Sequence, residues 1–176
     1  MEDVILEIIL PHDQNGYLPD QYSKHAAKEN LRDGFPIISP PVIINNVPVE
    51  AKTLALTFLD FDAVPVGGFV WIHWLAANIP AKTQVKIPEN ASQVNDLSFI
   101  QGRNSNAGAL AYHDDPLINQ RYVGPQPPDR DHQYQLTVYA LRDKLNLQAG
   151  YWLNDFYREA EGLIITSSQL LIPGRV

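Results

Sequence analysis

The stretch LDFDAVPVGGFVWIHWLAANIP, residues 59–80, sets a histidine in the middle of a strand that is otherwise apolar on both faces. Uninterrupted aromatic and aliphatic character of this kind reads as a strand covered on both sides. Strict alternation puts His73 on one face with Trp71 and Leu75. A polar ring buried there must find a hydrogen-bond partner or lose free energy. Two aspartates, Asp60 and Asp62, stand shortly upstream. Whether His73 is a packed core histidine or one wall of a binding site is therefore the first question.

The flanking segments answer the fold. TLALTFLD, residues 53–60, puts Leu54, Leu56, Phe58 and Asp60 on one face and Ala55, Thr57 and Leu59 on the other. HQYQLTVYAL, residues 132–141, alternates with His132, Tyr134, Leu136, Val138 and Ala140 on one side. Between these strands lie turn-rich links such as GRNSNAG and GPQPPDRDH, and the 14 prolines of the chain favour strands and loops over a helical bundle. Residues 24–32 read as a short helix, and Leu153, Phe156, Tyr157 and Ala160 recur at helical spacing over about 149–160. GLIITSSQLLI then returns to strand character. The expectation is a single domain over residues 1–176, mainly all-β: a sandwich of antiparallel sheets with one or two short peripheral helices, one near the C-terminus.

Composition removes several function classes. There is no cysteine, so disulfides and thiolate metal sites are excluded. The formal net charge is −7 and there is no Lys/Arg run, which argues against nucleic acid as a partner. No segment approaches the roughly 18 apolar residues of a membrane span. MEDVILEIILPHDQNG has an acidic start and a short apolar run, unlike a signal peptide, so a cytoplasmic location is expected. The acidic–histidine clusters HDD at 113–115 and DRDH at 129–132 match no recognised ligand spacing and read as exposed loops, so neither metal nor cofactor is expected.

Asp60, His73, His132 and Tyr134 all begin on inward faces, with Asp60 and His132 at strand ends. If their strands are neighbours, the four line one concavity. Each has a plainer role: an aspartate at a strand end forms turns, a buried histidine is usually hydrogen-bonded core, and a tyrosine is a core aromatic with a wetted hydroxyl. Only their shared orientation points to a site.

Two longer motifs carry a family resemblance. DFDAVPVGGFVWIHWLAANIP is similar to an Asp-Pro-Asp-Ala-Pro stretch followed by a Trp/His-rich strand, and YVGPQPPDRDHQY to a Gly-Pro-x-Pro-Pro loop leading into His-x-Tyr. With ISPPVIINNVP, GRNSNAG and the closing NDFYREAEGLIITSSQLL, the chain from about residue 18 onward resembles the phosphatidylethanolamine-binding protein family, in its bacterial Raf-kinase-inhibitor-like branch. The resemblance implies a β-sandwich with a small anion-binding cavity that takes phosphate or a phosphoethanolamine-like headgroup. It assigns that cavity to Asp60, His73, His132 and Tyr134, with loop positions Gly124, Pro127 and Pro128, and with Asp62 and Gln126 beside them. A symmetric homodimer is expected by analogy with bacterial relatives; a protein partner is left unspecified.

Departures from the pattern are local. Phe61 stands where the first proline belongs, and Val64 displaces the second to Pro65, leaving open whether Val64–Pro65 takes the cis form the family often has. Residues 109–121 are longer than the family's usual link and fall beside the expected cavity, where they could cover it or form a partner surface. Two other functions stay open: a hydrolase using an Asp/His pair in the same cavity, and a kinase-regulating interaction module. Against the first, there is no Gly-x-Ser-x-Gly elbow, and Ser105 is the only serine in a suggestive loop. The second rests on fold analogy alone. An anion beside Asp60 also needs explaining, because like charges about 4 Å apart repel by roughly 4 kcal/mol at an effective dielectric near 20. Either Asp60 meets an ammonium on the ligand or a nearby histidine neutralises it; protonated His132, the Tyr134 hydroxyl and the backbone N–H groups of loop 124–128 then hold the anionic end.

Overall fold

In the computed structural model, which describes residues 5–94 and 98–176, ten strands and three short α-helices form among those residues. The strands are β1 (Glu7–Ile9), β2 (Leu31–Arg32), β3 (Phe35–Pro36), β4 (Val42–Asn45), β5 (Thr53–Asp60), β6 (Trp71–Pro80), β7 (Val85–Ile87), β8 (Ile100–Gln101), β9 (His132–Leu141) and β10 (Ile164–Gly174). The helices are α1 (Val64–Gly67), α2 (Pro116–Asn119) and α3 (Leu153–Ala160).

The main sheet is antiparallel with order β10-β9-β5-β6-β8, and β1-β4-β7 form a second sheet. All eight residues of β5 are buried, because β9 and β6 flank it and both its faces are covered. On one face Leu54, Leu56 and Phe58 pack with Leu136 and Val138 of β9 against Val42 and Ile44 of β4. On the other, Ala55, Leu75 and Tyr139 receive Phe156 and Ala160 of α3. This is the antiparallel sandwich with a peripheral C-terminal helix that the alternation predicts. Each large side chain removed from water in these layers stabilises the fold by roughly 1.5–3 kcal/mol.

The strand that posed the question is not regular. Phe58 faces Trp74 and Leu59 faces Ile72, so His73 is an extra residue in β6, a β-bulge. An extra residue reverses the facing of everything beyond it. Trp71, opposite Asp60, and Trp74, opposite Phe58, therefore share the inner face, while Leu75 turns to the opposite layer. His73 does not share its face with Leu75, as strict alternation had it; the bulge turns its ring inward beside Phe58 and Tyr134.

Two helix expectations need correction. Residues 24–32 hold no α-helix: a 3-10 turn at Lys28–Asn30 leads into the short hairpin β2–β3. Asp33 and Gly34 both have positive φ, the requirement of a two-residue hairpin turn, and this Asp-Gly pair outweighs the charged, helix-compatible residues before it. The helix read from about 149 begins only at Leu153, because Gly150 has φ +84° and Trp152 is extended, with its N–H donating to Asp155 Oδ2. Among the described residues no peptide bond is cis; Pro65 lies in the first turn of α1, where a missing N–H costs nothing.

Candidate ligand-binding cavity

β5, β6 and β9 end side by side, and that juxtaposition builds a cavity. Asp60 at the end of β5 lies between Tyr134 of β9 and Trp71 of β6 in the pairing register. His132, the first residue of β9, reaches Asp60 from the loop side, its Nδ1 2.7 Å from Asp60 Oδ2. Together with His73 they line a cavity of about 440 Å³, inside the roughly 300–1,000 Å³ range of small-molecule sites. Gly124, Gln126, Pro127 and Pro128 form part of the same wall. Asp62 does not line it: its carboxylate pairs with Arg130 at 3.3 Å and accepts the Gln133 N–H at 2.8 Å, tying the turn after β5 to β9.

The electrostatics centre on His132, which is almost fully buried between two carboxylates. Its Nδ1 meets Asp60 and its Nε2 meets Asp129 Oδ1 at 2.9 Å. Burial alone would pull this imidazole's pKa down, but the hydrogen bonds to Asp60 and Asp129 outweigh it, and the pKa is raised. With acceptors at both nitrogens the ring is held as the two-donor imidazolium.

His73 is the opposite case. Its Nδ1 donates to the Val123 carbonyl at 2.6 Å, and burial lowers its pKa to about 4. It is therefore neutral near pH 7, with Nε2 as an acceptor. Unfolded chains take up a proton on this residue below about 6.5, whereas the folded chain resists until about 4. The fold thus loses on the order of 3 kcal/mol progressively as pH falls through that window. His73→Asn, which keeps a donor for Val123, is expected to flatten the acid side of the Tm–pH curve between about pH 6.5 and 4. Melting curves of the variant and wild type that run parallel there rule this out.

The donors for an anion differ from those expected. Gly124 N–H donates to the Pro36 carbonyl at 2.8 Å, and Pro125, Pro127 and Pro128 have no N–H, so loop 124–128 offers only Gln126. His132 has both N–H groups on carboxylates. Among the described residues no lysine or arginine lines the cavity. Besides the Gln126 N–H, the donors are neutral side chains: Asn106 Nδ2, buried and without a partner, and Tyr134 Oη, buried, with no well-formed hydrogen bond and the Asp60 carboxylate as its polar neighbour. Burial and the nearby Asp60 charge push the Tyr134 phenol further up, so it stays protonated as a donor.

Asn106, Phe69 and Trp71 on the cavity wall, and Asp129 against His132, carry no mark in the sequence pattern. Asn106 sits in GRNSNAG, where Asn104 caps the turn by accepting the Asn106 N–H, and Asn106 lines the cavity. Phe69 and Trp71 stack with centroids 5.8 Å apart on the cavity wall. The 109–121 segment is held by Asn104, whose Nδ2 donates to the carbonyls of Ile118 and Arg121, and it contributes Ala111 to the wall.

Comparison with known proteins identifies relatives of this architecture. The uncharacterized protein YxkA of Bacillus subtilis is 49% identical over 162 residues, covering 92% of this chain and 96% of its own. A UPF0098 protein of Methanothermobacter thermautotrophicus is 35% identical over 136 residues, 76% of this chain and 80% of its own. Among solved structures, the phosphatidylethanolamine-binding protein homologue CT736 of Chlamydia trachomatis superposes with a TM-score of 0.74 at 26% identity, covering 97% of both chains. Escherichia coli YbcL, a member of the same family by its description, shares the fold with a TM-score of 0.73 at 20% identity over 97% of this chain and 98% of its own. The family model for phosphatidylethanolamine-binding protein matches residues 11–172, and with it this chain belongs to the phosphatidylethanolamine-binding protein family.

Proposed function

We propose that the cavity binds a small phosphorylated headgroup that also carries an ammonium, of the phosphoethanolamine type. The observation that carries this reading is the pair of buried neutral donors, Asn106 Nδ2 without a partner and Tyr134 Oη with only Asp60 near it, on a wall that also holds Asp60. A phosphoryl oxygen accepts from such donors without needing a cationic side chain. The ammonium balances Asp60, whose two oxygens keep lone pairs beyond those used by His132 and the Ala63 N–H, and it lies against the Phe69–Trp71 rings. Asp60, His132 and Asp129 together carry one net negative charge, which disfavours a bare anion.

Binding rather than catalysis follows from how the polar groups are used. His132 has no free lone pair for general-base work, His73 is a weak base, and the Ser105 hydroxyl is occupied by the Ile72 N–H at 2.8 Å. Titration calorimetry with phosphoethanolamine, ethanolamine and inorganic phosphate tests the reading. Phosphoethanolamine should bind tightest, and Tyr134→Phe should weaken it about tenfold or more, the worth of a hydrogen bond to a charged group. Unchanged affinity in Tyr134→Phe, or phosphate binding more tightly than phosphoethanolamine, overturns the assignment.

A further inference from the structure

We infer that the outer edge of β10 is the interface of a symmetric dimer, in which two copies pair antiparallel along this strand and their main sheets run on as one. This edge is separate from the cavity, which no residue of β10 lines, and it does not rest on the headgroup reading above.

β10 is 11 residues long and ends the main sheet on one side. The Leu18 N–H donates to the Pro173 carbonyl at 2.9 Å, so that carbonyl points away from β9. Backbone groups along a strand alternate sides, so Leu171, Gln169 and Ser167 also turn their N–H and C=O outward. Among the described residues no other element hydrogen-bonds to these groups. The three side chains are exposed, Leu171 at 59%. Long edges of this kind are ordinarily blunted by charge. Here residues 162–174, GLIITSSQLLIPG, carry no charged side chain, in a chain of net charge −7. Two copies therefore meet along this edge without the repulsion that the net charge imposes elsewhere.

The ends of the strand choose the register. A bulge between Ile164 and Thr166 breaks the ladder at one end. Pro173 closes it at the other, having no N–H and a carbonyl already used by Leu18. Between them a two-fold axis at Gln169 maps the outward residues onto themselves. Ser167 of one copy faces Leu171 of the other, and Gln169 faces Gln169. Each such pair exchanges both main-chain bonds, giving about six across the axis. The two Gln169 amides, each with donors and an acceptor, pair with one another. Association stops at two copies, because the opposite edge of the sheet is β8, of only 2 residues, and leaves no second long edge to extend.

The test is sedimentation equilibrium of the full chain over about 1–100 μM, where micromolar dissociation constants are read, together with amide hydrogen exchange. Wild type should form a dimer, and the amides of Ser167, Gln169 and Leu171 should exchange more slowly as concentration rises. Gln169→Lys and Gln169→Glu each set like charges face to face on the axis. Each should raise the dimer dissociation constant about tenfold or more, and with an exposed side chain changed, neither should disturb the fold. Mixing the two variants should restore association, because opposite charges then face one another. A wild type that stays monomeric, a dimer that both variants leave intact, or a mixture that fails to associate overturns the interface. Assembly beyond two copies overturns its closure at the two-fold axis. Slow exchange of the three amides in a monomer also overturns it, by assigning the edge to another part of the same chain.

Discussion

Asp60→Ala is expected to destabilise the protein by about 3–5 kcal/mol, lowering Tm by on the order of 10 °C. The reason is His132. Its side chain is 1% exposed and that of Asp60 5%, so removing the carboxylate leaves a buried imidazolium with half its compensation gone. Asp129 remains, but it is half-exposed and its attraction is screened, which places the expectation near the lower end. Asp60→Asn retains an acceptor for Nδ1–H and should cost clearly less. The pH profile separates charge from packing. Because the folded-state pKa of His132 is raised, its contribution is fully present below about 6.5 and is lost as pH rises through the folded value. In Asp60→Asn that alkaline loss should be smaller and complete at lower pH. A Tm–pH curve for Asp60→Asn superimposable on wild type above pH 6.5 contradicts an ion pair at this position.

The same residues show how far the sequence was legible. Alternation in 53–60 and 132–141 gave the inward faces correctly, and with them Asp60, His132 and Tyr134. It failed at His73 because residues 69–77 are apolar on both faces, so a bulge leaves no mark on the pattern. The Asp33-Gly34 hairpin was readable but hidden behind a charged run with helical composition. Three prolines in loop 124–128 already excluded most of its N–H donors. That Gly124 uses its own N–H on Pro36, and that His132 uses both of its nitrogens, are consequences of packing that only coordinates reveal. Asn106 carried no signal of its own beyond lying in an Asn-rich loop.

Gly124→Ala is expected to be as damaging as the loss of Asp60, at ~3 kcal/mol or more, although no charge is involved. A Cβ at this position would stand 2.0 Å from the Tyr22 carbonyl oxygen and 2.9 Å from its carbon. Both are backbone atoms, so no side-chain rotation relieves the overlap. Nor can the neighbours withdraw cheaply: Tyr22 O also accepts from Tyr122 Oη at 2.7 Å, the Lys24 N–H donates to Pro125 O at 2.8 Å, and Gly124 itself is bonded to Pro36. Relief requires moving the 124–128 loop away from residues 22–36. That loop leads directly to Asp129, so its movement also loosens the second carboxylate on His132. The variant should therefore combine a lowered Tm with a weaker alkaline-side dependence on His132, a pairing that a simple core overlap elsewhere does not produce. The glycine of the Gly-Pro-x-Pro-Pro loop is thus required by a close backbone approach that holds the cavity wall in place; wild-type stability in Gly124→Ala would return it to the role of a ligand-contacting residue.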